Sequence, residues 1–340
     1  MRVELATERD SWDSYVQAAA PDSLRHHWVW RDIIQETFGH QPHYLAAFEG
    51  RDLRGVLPLV SIRSRLFGTS LVSIPFFSYG GIVADTEEAR EKLLAGAAEL
   101  GRGLGARHIE LRQGDACPMS WQSACAKVTM EVHLPPSADQ YWKQLSSGMR
   151  NKIRQGQKHG LRAEWGGLEA VPIFYKIFAA NMRNLGTPVY SREFFENQVR
   201  RLPGRIRILS VWDRETPVAA SFLVAHRRTL ELPWSASMAP SRKKYSQVLM
   251  YWKFIERAIA EGFSTIDLGR CTPGSGTHEF KRHWNPVERP LHWYYWLAPG
   301  TSMPNLRADN ARFKLAIELW KRLPLAVANS LGPRLVRSIP

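Results

Sequence analysis

Short apolar runs and polar breaks follow one another along this chain, and the same order of runs occurs twice. Residues 44–48 and 56–62 are strand-length apolar runs parted by Glu49-Gly50-Arg51-Asp52, a turn composition. Residues 206–212 and 218–225 repeat the arrangement around Asp213-Arg214-Glu215-Thr216. A further strand, 229–234, follows the Arg227-Arg228 turn. Each group leads to an amphipathic helix. In 87–104, Leu93, Leu94, Ala97, Leu100 and Leu104 fall at helical spacing, and 247–261 is its counterpart. Gly105 and Gly262 stop the two helices, and short strands at 108–112 and 265–268 follow. Glu110 and Asp267 lie 157 positions apart, Phe48 and Trp212 164 apart. A near-constant offset across several ordered elements predicts two copies of one α/β unit.

The join falls where a strand-like run, 128–134, meets Pro135-Pro136-Ser137 and a helical start carrying Tyr141, Trp142 and Leu145. The expected division is a first domain at 1–126, a second at 127–300 and a tail at 301–340. In the tail, Phe313, Ile317, Trp320, Leu323, Val327, Leu331 and Leu335 recur at roughly helical spacing from Asn310 onward. Pro324 and Gly332-Pro333 interrupt the pattern. The tail carries seven basic and two acidic residues. It reads either as a terminal helix packed on the core or as an interfacial one. The second reading puts Trp320 and the leucines among lipid headgroups, with Arg312, Lys314, Lys321 and Arg322 on anionic lipid.

Composition narrows the class. The 340 residues are 44% apolar and 23% charged, which excludes wholesale disorder. Three cysteines (Cys117, Cys125, Cys271) suit a reducing compartment better than a disulfide framework. No secretory pattern opens the sequence, and no run of about eighteen apolar residues occurs. A cytoplasmic protein is expected, with the tail as a route to peripheral contact with the inner face of the membrane. The net charge of +14 is either a solvated basic surface or the mark of an acidic partner. Such a partner would be a phosphate-bearing substrate, nucleic acid or anionic lipid.

Two clusters concentrate that charge. Between 143 and 162 stand Lys143, Arg150, Lys152, Arg154, Lys158 and Arg162, with no acidic residue among them. Arg150, Arg154 and Lys158 share a helix face, and Ile153 lies off it. A charge run is usually a solvated face, but surface helices normally intersperse acids at i,i+4, so the run is read as an anion site. The second cluster, Arg242-Lys243-Lys244-Tyr245, directly precedes a helix. Cations at a helix N-terminus suit phosphate, and Ser246 as N-cap is compatible with that.

A third stretch runs from Asp267 through Gly269, Arg270, Cys271, Gly274, Ser275 and Gly276 to Lys281. It is a polar, glycine-rich loop at a strand's C-terminal end, a favourable place for a site. Cys271 reads as a small core or loop residue rather than a nucleophile, because no paired histidine is implied. His278, His283 and Cys271 lack metal-ligand spacing, so no metal is expected. Asn181, Arg183 and Tyr190 surround a Gly-Thr-Pro helix stop. The glycines at 101–105 follow a helix rather than a strand, so a dinucleotide loop is rejected there.

Taken together, four stretches resemble the FemAB-like family of the GNAT acyltransferase superfamily. They are the basic run 149–161, the segment 181–190, the helix 248–252 leading to Ile266-Asp267-Leu268-Gly269-Arg270, and Phe280-Lys281-Arg282 followed by Trp284. The Gly-Thr-Pro segment and the tail are most similar to FemAB-related proteins of exosortase (PEP-CTERM) and exopolysaccharide systems. The resemblance spans about 1–300 and implies a mixed-sheet α/β fold of tandem GNAT-like domains. Family members move an aminoacyl group from charged tRNA to an amine of a cell-wall precursor. A Phe-Lys pair lies at their active site, the Phe offering its backbone carbonyl and the Lys stabilising charge. By motif position these are Phe280 and Lys281.

Two departures matter. The coiled-coil arm of some members is absent, which weakens the case for tRNA. The glycine loop that binds acetyl-CoA in ordinary GNAT enzymes is replaced by Arg242-Lys243-Lys244-Tyr245-Ser246-Gln247.

The expectation is therefore an N-acyltransferase of aminoacyl type, acting on an amine of a cell-envelope peptide or saccharide precursor. No cofactor is tightly bound, and the co-substrate is aminoacyl-tRNA or acyl-CoA. Lys281 stabilises the oxyanion. Asp267 orients a basic group, accepts a proton or simply holds the strand end. Phosphates go to Arg150, Lys152, Arg154, Lys158, Arg242, Lys243 and Lys244, with Asn181, Arg183, Tyr190, Tyr245, Arg270 and Ser275 as further substrate contacts. The alternatives are an acyl-CoA or acyl-carrier-protein acyltransferase and a non-enzymatic membrane or nucleic-acid binder.

Overall fold

The alternating runs form sheets, and the amphipathic runs form helices laid on them. The structure is a computed structural model that describes residues 1–65, 67–304 and 311–339, and the side chains of all of these but 311–313. Asn310 and the side chains of Arg312 and Phe313 lie outside the described residues.

The first unit runs to Ala126 and takes up the chain again at Pro290. It holds β1 (Arg2–Leu5), α1 (Arg9–Ala19), α2 (Val29–Phe38), β2 (Gln41–Glu49), β3 (Asp52–Ser64), β4 (Gly68–Ser73), β5 (Val83–Ala84), α3 (Glu87–Gly103), β6 (Ala106–Gln113) and β7 (Gln122–Ala124). Its sheet has the order β1-β2-β3-β4-β6, with β5 on β3. Neighbours are antiparallel except β4 and β6, which pair in parallel from Thr69↔Ala106 to Val72↔Glu110. Thr86 caps α3 by accepting from the Ala89 N–H, and Leu93, Leu94 and Ala97 bury against Leu57, Leu59, Leu71 and Ile109 of the sheet.

The second unit holds β8 (Val128–His133), α4 (Ala138–Gln144), α5 (Ser147–Lys158), β9 (Leu161–Gly166), α6 (Val171–Leu185), α7 (Arg192–Arg201), β10 (Ile206–Asp213), β11 (Thr216–His226), β12 (Thr229–Ser237), α8 (Ser246–Ala260), β13 (Thr265–Asp267), α9 (Gly276–Arg282) and β14 (Val287–Pro290). The sheet order is β14-β8-β13-β12-β11-β10-β9. Here too the strand before the long helix pairs in parallel with the strand after it, from Thr229↔Thr265 to Glu231↔Asp267. Glu110 and Asp267 therefore occupy the same place in the two registers. The fold is mixed α/β, built twice.

One assignment changes. Residues 292–297 were expected in the second domain, but β15 (His292–Leu297) hydrogen-bonds to β6, with Tyr294↔Leu111, and to β7 in the first sheet. Its counterpart is β8, which pairs with β13 yet precedes the second repeat in the chain. Each sheet thus completes itself with a strand from outside the repeated run, which a search for repeats does not find.

The tail forms α10 (Ala311–Arg322) and α11 (Leu325–Val336), separated at Pro324; Gly332-Pro333, expected to interrupt the pattern, lie inside the last turns of α11 instead. Both lie on the α6 side of the second unit. Arg183 Nη1 donates to the Lys321 carbonyl at 2.9 Å. A side chain on Gly332 would come within 2.9 Å of the Val189 backbone nitrogen, so glycine is required for this approach. Leu315, Leu319, Val327, Leu331 and Leu335 remain exposed. Among the described residues no helix is long and apolar enough to cross a membrane.

Candidate active site

The parallel ladder between β12 and β13 is short. It ends at Glu231↔Asp267, while β12 continues to Ser237. The departing chain turns the other way: the Leu268 N–H bonds to the Met130 carbonyl, and Cys271 exchanges backbone bonds with Val128. From Leu232 onward β12 therefore has no strand partner on that side among the described residues. A sheet edge of this kind offers backbone groups to an extended ligand.

Asp267 shapes the turn at this point. It is buried, and its Oδ1 accepts from Thr129 Oγ1 at 2.6 Å and from the Gly269 N–H at 2.8 Å. The second bond closes an Asx-type turn. Gly269 sits at φ +75°, where a Cβ would stand 3.0 Å from the Leu232 carbonyl oxygen, so the position needs glycine. The turn aims the carbonyls of Gly269 and Arg270 at Lys281. Its Nζ donates to them at 2.8 and 3.2 Å.

Lys281 is 5% exposed. Burial lowers its pKa, and the nearby Cys271 and Asp267 partly offset that. An ammonium has three protons, so two carbonyls leave one for a ligand. Phe280 packs its ring edge-on to Tyr251 at 4.9 Å. Just beyond α9, the Trp284 N–H closes on the Lys281 carbonyl, so the Phe280 carbonyl is not taken by its usual i+4 donor. Ser275 caps α9 by accepting from the His278 N–H.

The two cationic clusters meet. On α5, Met149, Ile153 and Gly156 face inward. At Gly156 an added Cβ would lie 3.3 Å from Leu249 Cβ, 3.5 Å from the Tyr245 carbonyl and 3.7 Å from the Lys244 carbonyl. The helix bearing Arg150, Lys152, Arg154 and Lys158 thus crosses the start of α8 beside Lys244. Arg154 lies over the Trp142 ring at 5.4 Å. Among the described residues none of these four cations forms an ion pair. Ser246 does not cap α8. Tyr245 takes the cap position at φ +61°, which draws Ser246 into the first turn, where its hydroxyl bonds to that of Ser241. The first N–H groups of α8 receive no side-chain cap.

Other expected contacts are placed differently. Arg242 and Asn181, far apart in sequence, come together at 3.4 Å, while Arg242 also bonds to Ser237. Lys244 is held by Asp213 at 2.5 Å, and Lys243 is exposed. Arg183 ties down the tail instead of facing a ligand. The Tyr190 ring belongs to an aromatic cluster with Phe194 and Trp234, and its carbonyl accepts from Tyr175. Arg270 reaches the site through its carbonyl. Cys271 is buried against Met130, and burial pushes its thiol up. Among the described residues no side-chain group could hold a metal.

Three contributors escaped the sequence. Thr129 anchors Asp267 from a strand 138 positions away. Tyr251, on α8, is buried with its phenol pushed up to about 12, chiefly by burial, and it bonds to Ser235 of β12. His278 is gripped by Glu288 at 3.0 Å, a contact that raises its pKa and ties the glycine-rich loop to β14. A helix periodicity marks Tyr251 as core, and the other two depend on pairings between distant segments.

Residues 143–282 match a family model described as an acetyltransferase (GNAT) domain, a segment containing Asp267, Phe280 and Lys281. No curated protein matches the sequence. Among solved structures, FemX superimposes with a TM-score of 0.66 at 14% identity, covering 93% of this chain and 100% of that one. The C-terminal domain of a putative lysylphosphatidylglycerol synthetase from Agrobacterium fabrum gives 0.53 at 13% identity, covering 83% and 92%. A tandem GNAT protein from the clavulanic acid biosynthesis pathway gives 0.54 at 10% identity, covering 88% and 100%. This chain therefore carries a tandem GNAT-like fold, and its second copy is the one that matches the GNAT domain model.

Proposed function

We propose that the protein is an N-acyltransferase whose chemistry is carried out in the second unit, where the β12–β13 ladder ends. The observation that carries this reading is the buried ammonium of Lys281, fixed by the Gly269 and Arg270 carbonyls where the pairing of β12 with β13 ends. An amine nitrogen attacks the carbonyl carbon of an activated ester or thioester, and the electron pair moves onto oxygen. The remaining Lys281 proton faces that developing charge, a contribution of about 3 kcal/mol. The C–O or C–S bond then breaks, and the leaving alcohol or thiol takes the proton that the new amide nitrogen gives up. The Phe280 carbonyl receives the amine N–H during attack. Asp267 acts by holding the turn. The uncapped start of α8, with Lys243 and the α5 cations, takes phosphates of the substrates.

The reading extends to aminoacyl transfer onto an amine of a phosphate-bearing cell-envelope precursor, in an exopolysaccharide or exosortase (PEP-CTERM) setting, on the strength of the sequence resemblance. An acyl-CoA or acyl-carrier-protein donor is the second reading, favoured by the GNAT domain match. Charged tRNA as partner, and contact of the tail with an anionic inner membrane face, belong to the same proposal. The test incubates the full chain with radiolabelled acyl-CoA and, separately, charged tRNA, each with extracted envelope precursors. Transfer from either donor that is lost in Lys281→Ala is the expected result. Transfer from neither, or transfer untouched by the substitution, overturns it.

A further inference from the structure

The first unit contains a cavity that the transfer chemistry does not use. It has a volume of about 410 Å³ and is lined by Phe38, Gly39, His40, Gln41, Ser61, Arg63, Arg337 and Ser338, all in that unit. Gly39 ends α2 at φ +69°, and that left-handed turn brings His40 to the cavity wall just ahead of β2. The His40 ring lies parallel to Phe38 at 5.8 Å and to Phe76 at 6.2 Å. It is 8% exposed, yet its Nε2 meets no hydrogen-bond partner. A buried polar atom without a partner calls for a ligand or a water.

The electrostatics point to an anion. Arg63 and Arg337 line the cavity, and among its described lining residues there is no Asp or Glu. Neither arginine forms an ion pair among the described residues. Burial holds His40 neutral, its pKa lowered to about 4; the Arg337 charge acts in the same direction, and a hydrogen bond from the ring to the Arg337 backbone carbonyl opposes it. The two guanidiniums alone offer more N–H donors than the two oxygens of a carboxylate can accept. They match the three terminal oxygens of a phosphoryl group.

We propose that this cavity is a binding site for a phosphoryl group of a phosphorylated ligand, with Arg63 and Arg337 as charge partners and the His40 ring on the wall beside them. The site stands on the first unit alone and does not depend on the transfer reaction. The experiment titrates the full chain with inorganic phosphate and, in parallel, pyrophosphate at pH 7 and constant ionic strength. It follows the histidine ring resonances by NMR, with His40 assigned from His40→Gln. A saturable shift of the His40 signals is expected, at least about tenfold weaker in Arg63→Gln and in Arg337→Gln. The tighter of the two probes tells whether a monophosphate or a diphosphate is the natural group. Absence of a saturable shift, the same shift with sodium chloride, or affinity unchanged in both arginine variants overturns the proposal. Arg63 and Arg337 are exposed, so their substitutions spare the core, and if His40→Gln does not fold the His40 signals are assigned from their through-space contacts to the Phe38 and Phe76 rings.

Discussion

Lys281 Nζ lies 2.8 Å from the carbonyl oxygen of Gly269, twelve positions back along the chain. The first unit has a related arrangement at the equivalent strand. There Arg112, two residues beyond Glu110, donates to the Phe77 carbonyl at 2.8 Å and to Glu110 at 2.6 Å. Glu110 also accepts from Tyr295. Both repeats thus place a buried cation against main-chain carbonyls beside a parallel strand pair. In the first, the cation is neutralised by a carboxylate two residues away, which makes a closed structural pair. In the second, Asp267 is turned to Thr129 and Gly269, and the Lys281 ammonium keeps a proton to offer. That difference supports the proposal that the transfer chemistry belongs to the second repeat.

Replacement of Lys281 by alanine is expected to lower turnover by about a hundredfold or more, the cost of losing one preorganised oxyanion donor. Initial rates against donor concentration, with circular dichroism to confirm folding, measure it. Unaltered rates in a folded variant would remove Lys281 from the mechanism.

Thr129→Val deletes a hydrogen bond to a buried carboxylate and leaves Asp267 Oδ1 with the Gly269 N–H. The expected destabilisation is about 1–3 kcal/mol. Chemical denaturation reads it as a lower midpoint at unchanged slope. Because the turn carrying the Lys281 acceptors loosens, activity should fall together with stability, whereas Ser at 129 should restore both.

The division between what the sequence disclosed and what it hid follows the range of the interactions. The strands around 44–62 and 206–225 and the helices at 87 and 247 come from local alternation and helical spacing, and they stand within a residue or a few of those positions. The crossing of α5 over α8 at Gly156 was not legible, since a glycine in a basic helix gives no sign of what approaches it. The membership of β15 in the first sheet was hidden for a similar reason: His292–Leu297 has no counterpart at the same offset. Lys281, Phe280 and Asp267 came from motif position and the strand-end loop. The engagement of Arg183 with Lys321 depends on where the tail returns, which no local pattern encodes.

His26 supplies a pH dependence. Its ring is buried, with Nδ1 2.6 Å from Ser23 Oγ and Nε2 2.8 Å from the Gly81 carbonyl, and burial lowers its pKa to about 4. An unfolded histidine titrates near 6.5. Between those values the unfolded chain binds more protons, so stability rises with pH across the window and is lost on acidification from 6.5 towards 4. The loss is about 3 kcal/mol for this group. Denaturation midpoints of wild type and His26→Gln compared at pH 7 and pH 4.5 test it. A wild-type advantage that does not shrink at the lower pH would contradict the buried neutral state.

The tail tests membrane contact. One side of α10 and α11 is fixed to α6, and the other presents Leu315, Leu319, Val327, Leu331 and Leu335 next to Lys314, Lys321 and Arg322. An interfacial helix needs such an apolar strip flanked by cations, with binding that weakens as salt rises. Leu315→Glu combined with Leu319→Glu changes only exposed positions, so folding should be preserved. Co-sedimentation with phosphatidylglycerol vesicles should drop by about tenfold or more, since each leucine buried in lipid is worth about 2 kcal/mol. Wild-type binding should also fall between low and high salt. If the double variant sediments as wild type does, the exposed leucines are not a lipid surface and the tail serves only to cover α6.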